Sequence, residues 1–303
     1  MARRSSGSLA PFLTLALIVT ACSSVEGRSV PTTSRVTVPT VQEPTTTTTV
    51  GATTTVPVTP TSPTTVPTEP IEEIDASITV PDGEGPFPAV VLVHGGGWVT
   101  GNPTIMAPLG RHLSEAGFLT VNTTYHLATR FSPGFPEAVE DVACAVRYAS
   151  SHPDSDGTVT LIGHSAGAHI GAIVALTGDS YVSECPYEGK ALPDSFVGLA
   201  GPYDVVRLGL AVSLFFGSGP TVDPESWAAG NPQALADQNP DLQALVMYGD
   251  RDGLVDDRFA IDFHEALTAA GSSSLLELVE GARHGDLLDP ALVGDLIVTW
   301  LER

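Results

Sequence analysis

From residue 71 onward, short apolar runs alternate with longer stretches of mixed character. Ala89–Val93 (AVVLV), Phe118–Thr123 and Val159–Ile162 are runs rich in aliphatic and β-branched residues, the pattern of strands buried on both faces. Pro136–Ser150 predicts a helix, with Pro at its start and Glu and Asp along it. Ala166–Leu176 predicts another. Phe196–Ala200, Leu242–Tyr248 and Leu275–Val279 follow as strands, with helices near Asp257–Ala270 and Pro290–Leu301. Continuous apolar strands alternating with helices predict the α/β class, a mostly parallel central sheet with helices on both faces. Only one strand candidate, Ile74–Val80, precedes Ala89.

Ahead of this body, Ser23–Pro70 carries neither a period of 2 nor one of 3.6. Arg3 and Arg4 form a positive start, and Leu9–Thr20 an apolar core too short to span a bilayer. The core ends in Val19-Thr20-Ala21-Cys22. This resembles the lipobox of bacterial lipoproteins, which implies cleavage before Cys22, lipidation of its thiol and retention at the outer face of the membrane. A plain secretory signal with an incidental Cys22 is the rival reading. Residues 1–21 are therefore expected to be a signal peptide. Residues 22–70 are dominated by Thr, Pro and Val and form a lipid-anchored stalk that cannot bury enough surface to offset its ordering entropy. Fully extended, the stalk reaches roughly 150 Å. One catalytic domain, residues 71–303, remains, large enough for a full core.

Charge excludes one class of partner. Asp plus Glu number 35 against 13 Lys plus Arg, a formal net charge of −22, which repels nucleic acid. There are three cysteines. With Cys22 used for lipid, Cys144 and Cys185 are either a disulfide, which an exported protein permits, or two separate buried thiols.

Two motifs carry chemistry. Gly163-His164-Ser165-Ala166-Gly167 falls between a predicted strand and a predicted helix, the setting in which G-x-S-x-G forms a nucleophile elbow. Ser165 is the candidate nucleophile, at a helix N-terminus where negative charge is favoured. His94-Gly95-Gly96-Gly97-Trp98 directly follows a buried strand, the position of an HGGG oxyanion loop. The N–H groups of Gly95, Gly96 and Ala166 are the candidate oxyanion donors. Of the eight histidines, His284 in Gly281-Ala-Arg-His-Gly285 follows the Leu275–Val279 strand and completes the chain order Ser, Asp, His. His264 lies in a predicted helix and reads as surface, while His94, His164 and His169 belong to the motif framework. The carboxylate clusters lack a metal-ligand pattern, and neither metal nor cofactor is expected.

Taken with Asn122–Ala128 (NTTYHLA), Phe135-Pro136 followed by Asp141, GHSAGAH from Gly163 to His169, Gly201–Asp204 and Gly249–Val255, these motifs make the chain resemble the hormone-sensitive-lipase-like and feruloyl-esterase-like (BD-FAE-like) carboxylesterase branch of the α/β hydrolases, shared with arylformamidases. The likeness runs over most of residues 74–303 and implies the α/β-hydrolase fold with its N-terminal strands partly trimmed. It implies Asp252 as the triad acid, with Asp250 as close rival. The branch usually has Arg where His126 stands, supporting the acid that matches Asp141. Trp98 and His164 are candidate lining of the substrate pocket. The aromatics of the Tyr203–Asn239 connection either wall that pocket or merely pack the connection. The implied activity is hydrolysis of short acyl or aryl esters, polymer-linked ones included, through Ser165, His284 and Asp252. The alternatives are a formamidase or amidase on the same triad, or an envelope-anchored binding module without catalysis.

Overall fold

The computed structural model describes residues 74–181 and 185–303. The expected signal peptide, Cys22 and the stalk lie outside the described residues. Seven strands form one sheet: β1 (Ala76–Thr79), β2 (Phe87–Val93), β3 (Leu119–Thr123), β4 (Ser155–His164), β5 (Ser195–Leu199), β6 (Gln243–Gly249) and β7 (Ser273–Val279). Their spatial order is β1-β3-β2-β4-β5-β6-β7. Every neighbouring pair is parallel except β1–β3. This is the α/β-hydrolase fold; among the described residues, one short antiparallel strand precedes β2.

Alternation along each strand divides the core in two. Ala89, Val91 and Val93 of β2 join one apolar cluster, while Val90 and Leu92 join the other. Ala244 and Val246 of β6 likewise oppose Leu245 and Met247, as the period of 2 requires. The first cluster is covered by α2 (Glu137–Ser151), α3 (Ala166–Thr177) and α8 (Asp257–Ala270). The second is covered by α1 (Ala107–Glu115) and α9 (Pro290–Leu301). Helix α1 is absent from the sequence-based expectation, yet Leu109 and Leu113 within it are fully buried. With Met106, Val293 and Ile297 they are five of the buried side chains on that face. At roughly 2 kcal/mol each, their burial is comparable to the whole stability of a domain.

The connections leaving β2 and β4 run to opposite faces, into α1 and α3. The carboxyl ends of these two adjacent strands therefore form a topological switch point, the usual place for a ligand in an open α/β sheet. Between β5 and β6 the chain forms four short helices, α4 (Val205–Leu208), α5 (Ser213–Phe216), α6 (Pro224–Ala229) and α7 (Pro232–Leu235). Cys144 on α2 and Cys185 are joined by a disulfide with a Cα–Cα distance of 5.4 Å. Among the described residues, no helix is long and apolar enough to cross a membrane.

Candidate active site

Ser165 stands between β4 and α3 with φ 54° and ψ −120°, a backbone conformation that disfavours any side chain and is characteristic of functional turns. Two packing facts hold it there. A β-carbon on Gly163 would lie 2.3 Å from the Gly167 carbonyl oxygen, and one on Gly167 would lie 2.4 Å from the carbonyl oxygens of Val93 and His94. Only glycine lets strand and helix pass that closely. The Ser165 N–H donates to Leu199 O at 2.8 Å, extending the β4–β5 ladder into the turn.

Asp252 and His284 reach the same sheet edge from the loops after β6 and β7. His284 Nδ1 lies 2.7 Å from Asp252 Oδ2. Because a carboxylate only accepts, Nδ1 carries the proton and Nε2 is left with a bare lone pair. The other oxygen, Oδ1, accepts the N–H groups of Leu254 and Val255 at 2.8 and 3.0 Å. Burial pushes the Asp252 carboxyl upward, but the bonds from His284, Val255 and Leu254 outweigh it and hold the group below its ordinary range. Asp250 has a different task, its Oδ1 accepting the Gly281 N–H at 2.6 Å. Among the described residues, Ser165 Oγ makes no hydrogen bond to His284. Such contacts commonly close only in the substrate complex.

The candidate oxyanion loop is braced from behind. Gly96 has φ 136° and would drive a β-carbon into the Thr100 carbonyl. His94 Nδ1 lies 2.8 Å from Gly95 O. That carbonyl accepts, so the opposite end of the same peptide, the Gly96 N–H, points away from the His94 ring. His94 Nε2 is left to accept from Thr124 Oγ1 at 3.2 Å, and its ring stacks on Tyr125 at 4.6 Å. Burial lowers the His94 pKa and keeps the ring neutral. A β-carbon on Gly95 would sit 3.0 Å from Ser165 Cβ, so the loop backbone abuts the serine. The N–H groups of Gly95, Gly96 and Ala166 donate to no acceptor among the described residues.

Two of the candidate pocket residues are nearly buried. Trp98 is 8% exposed. Its indole N–H donates to His169 Nδ1 at 3.1 Å, and His169 Nε2 donates onward to Gly230 O at 2.8 Å. That relay ties the His94–Trp98 loop to α3 and to the β5–β6 connection, and burial depresses the His169 pKa to about 4. His164 is 4% exposed. Its Nε2 lies 2.9 Å from the His284 carbonyl oxygen, and burial lowers its pKa to about 4. The aromatics of the β5–β6 connection pack inward, with Phe215 against Trp98, His169, Phe135 and Phe216, and Phe216 stacked on Trp227.

His126 takes up the support of Asp141 through its backbone, donating N–H to Asp141 Oδ2 at 2.7 Å. Its ring turns to Ser132 Oγ and Glu137. Burial raises the Asp141 pKa. A cavity of about 550 Å³ beside these residues, also lined by Glu140, Cys144 and Tyr181, shares no lining residue with Ser165, Asp252 or His284. Among the described residues, no group of three or more His, Cys, Asp or Glu is arranged to hold a metal ion.

A family model, BD-FAE, matches residues 77–267. Esterase LipC of Mycobacterium tuberculosis is 31% identical over 69% of this chain and 56% of its own length. A probable isoprenylcysteine alpha-carbonyl methylesterase, ICMEL1, of Arabidopsis thaliana is 27% identical over 67% of this chain and 46% of its own. The chain thus spans about half the length of the curated relatives it matches. Among solved structures, a truncated carbohydrate esterase from gut microbiota superposes with TM-score 0.64 at 20% identity, over 74% of this chain and 89% of that one. Propionate-bound Est2 of Thermogutta terrifontis gives 0.62 at 22%, over 75% and 88%. At those identities the likeness is one of fold.

Proposed function

Because the chain belongs to the BD-FAE family of α/β hydrolases, we propose that it is a serine carboxylesterase acting on short acyl or aryl esters, free or polymer-linked. The observation that carries this reading is the 2.7 Å bond between His284 and Asp252 at the sheet edge where Ser165 is held at positive φ. His284 Nε2 takes the Ser165 proton as the oxygen attacks the acyl carbonyl. Gly95, Gly96 and Ala166 N–H groups bind the oxyanion, each worth roughly 3 kcal/mol in the transition state. The imidazolium, stabilised by Asp252, returns its proton to the leaving alcohol, and water then releases the acid by the same route. Esterases among both the sequence relatives and the structural neighbours support the choice of reaction.

The test is a panel of p-nitrophenyl esters, with N-formylkynurenine as the amide arm. Ser165→Ala is expected to lose at least about 10³-fold in kcat. Full activity in that variant rules out the nucleophile, and preference for the formyl amide reassigns the substrate class. We also infer that Cys22 is lipidated and holds the enzyme at the outer face of the membrane, on the strength of Arg3, Arg4, the Leu9–Thr20 core and Ala21 before the cysteine. Cys22→Ser is expected to abolish palmitate labelling, and unchanged labelling refutes the anchor.

A further inference from the structure

We propose that His164 is a positioning residue for the base: its Nε2–H holds the main-chain carbonyl of His284, so the imidazole that Asp252 orients by its side chain is also fixed at its backbone. The inference rests on the triad reading above. The bond is 2.9 Å long and joins residues 120 apart in sequence. The two rings lie 4.8 Å apart, tilted by 52°. On its other side, the His164 ring borders the oxyanion loop, because a β-carbon on Gly95 would come within 2.8 Å of Nδ1. One rigid ring therefore sits between the base and the oxyanion donors and sets their spacing around Ser165, its own neighbour in the chain.

A filler residue would not need polar atoms here. Nδ1 is buried without a hydrogen-bond partner, so the site tolerates an unpaired nitrogen in order to keep the Nε2 donor. With its pKa at about 4, the ring is neutral near neutral pH and the donor stays on one nitrogen. The loop that His164 holds needs such a point of attachment. Gly281, Arg283 and Gly285 around His284 are all exposed, and a base displaced by about 1 Å can cost on the order of 10²-fold in rate.

His164→Leu, His164→Gln and His164→Asn in the full chain test this, read by p-nitrophenyl acetate kinetics, thermal melting and mass-spectrometric labelling of Ser165 by an organophosphorus ester. His164→Leu is expected to lower kcat about 10²-fold with KM within about threefold, and His164→Gln, whose amide nitrogen reaches the place of Nε2, to recover most of it. Should His164→Leu fail to fold, the two amides decide, since the shorter Asn cannot reach the carbonyl and is expected to stay slow while Gln is fast. Equal impairment of Gln with Leu or with Asn, or full kcat in the Leu variant, overturns the proposal. If the parent protein is not labelled at Ser165, the triad reading itself fails, whatever the His164 variants do.

Discussion

Replacing Asp252 by Asn tests the triad at the point where geometry dictates the outcome. The two side chains are isosteric, so packing is kept. In the parent protein Oδ1 accepts from both Leu254 N–H and Val255 N–H, and Oδ2 faces His284 Nδ1. Two backbone donors claim the single amide oxygen of the variant, which turns the NH2 group toward His284. Nδ1 must then accept, its proton moves to Nε2, and the nitrogen needed to receive the Ser165 proton is already occupied. The imidazolium also loses its counter-charge. Where this tautomer reversal has been imposed on another serine triad the loss is about 10⁴-fold, and a similar fall in kcat is expected here, about 5.5 kcal/mol.

The assay is p-nitrophenyl acetate hydrolysis near neutral pH, with circular dichroism to confirm the fold. Asp250→Asn is the control. Its amide oxygen still accepts the Gly281 N–H, so its rate is expected to stay within about tenfold of the parent. Asp252→Asn retaining a tenth of parental activity, or Asp250→Asn falling as far, would refute the assignment.

Three further outcomes follow from the packing. His164 and His169 have pKa values of about 4 in the fold against about 6.5 unfolded, so the unfolded chain binds more protons throughout that window. Stability is full above it and is lost as pH falls from about 6.5 toward 4, by on the order of 3 kcal/mol per ring; a urea midpoint that does not move between neutral pH and pH of about 4.5 contradicts the buried neutral state. Gly167→Ala puts a β-carbon 2.4 Å from two backbone carbonyl oxygens of the central sheet, which cannot yield as a side chain would, and should destabilise by about 3 kcal/mol; an unchanged melting temperature argues against the close crossing. Cys144→Ser opens a loop of sequence separation 41 and is expected to cost about 4 kcal/mol, read as a fall in Tm of about 10 °C; equal melting of oxidised, reduced and mutant protein would show that the bond contributes nothing.

Elements were legible where their signals are local. Helix α8 is bracketed by Asp256, whose side chain caps Arg258 N, and by Gly271 at φ 105°; α9 is opened by the Asp289 cap and Pro290. Both ends can be read from residue types alone. Helix α1 escaped because its apolar signal is sparse: Leu109 and Leu113 stand four apart, with Pro108 and Gly110 between or beside them. The Tyr203–Asn239 connection escaped for a different reason. Its helices have four to six residues, too few turns for a period to show. Whether its aromatics wall a pocket or pack the connection is likewise not written in their spacing; in space Phe215 and Trp227 are each 1% exposed.

The site divides along the same line. Ser165 and the glycine loop are contiguous motifs, so the sequence exposes them. The histidines are harder, because His94, His164, His169 and His284 all stand next to or near glycines, at a strand end, in a loop or in the first turn of a helix. What separates them is the partner of the donating nitrogen. His94, His164 and His169 donate to the carbonyls of Gly95, His284 and Gly230, neutral acceptors that favour a neutral ring in a desolvated setting. His284 donates to a carboxylate. A carbonyl dipole does little for an imidazolium, whereas a carboxylate stabilises it directly. Of these four rings, only His284 donates to a carboxylate, which is what the proposed role of general base requires. That difference depends on residues 1, 120, 61 and 32 positions away, three of them brought close only by the sheet, and so it is encoded in the fold and not in any local motif.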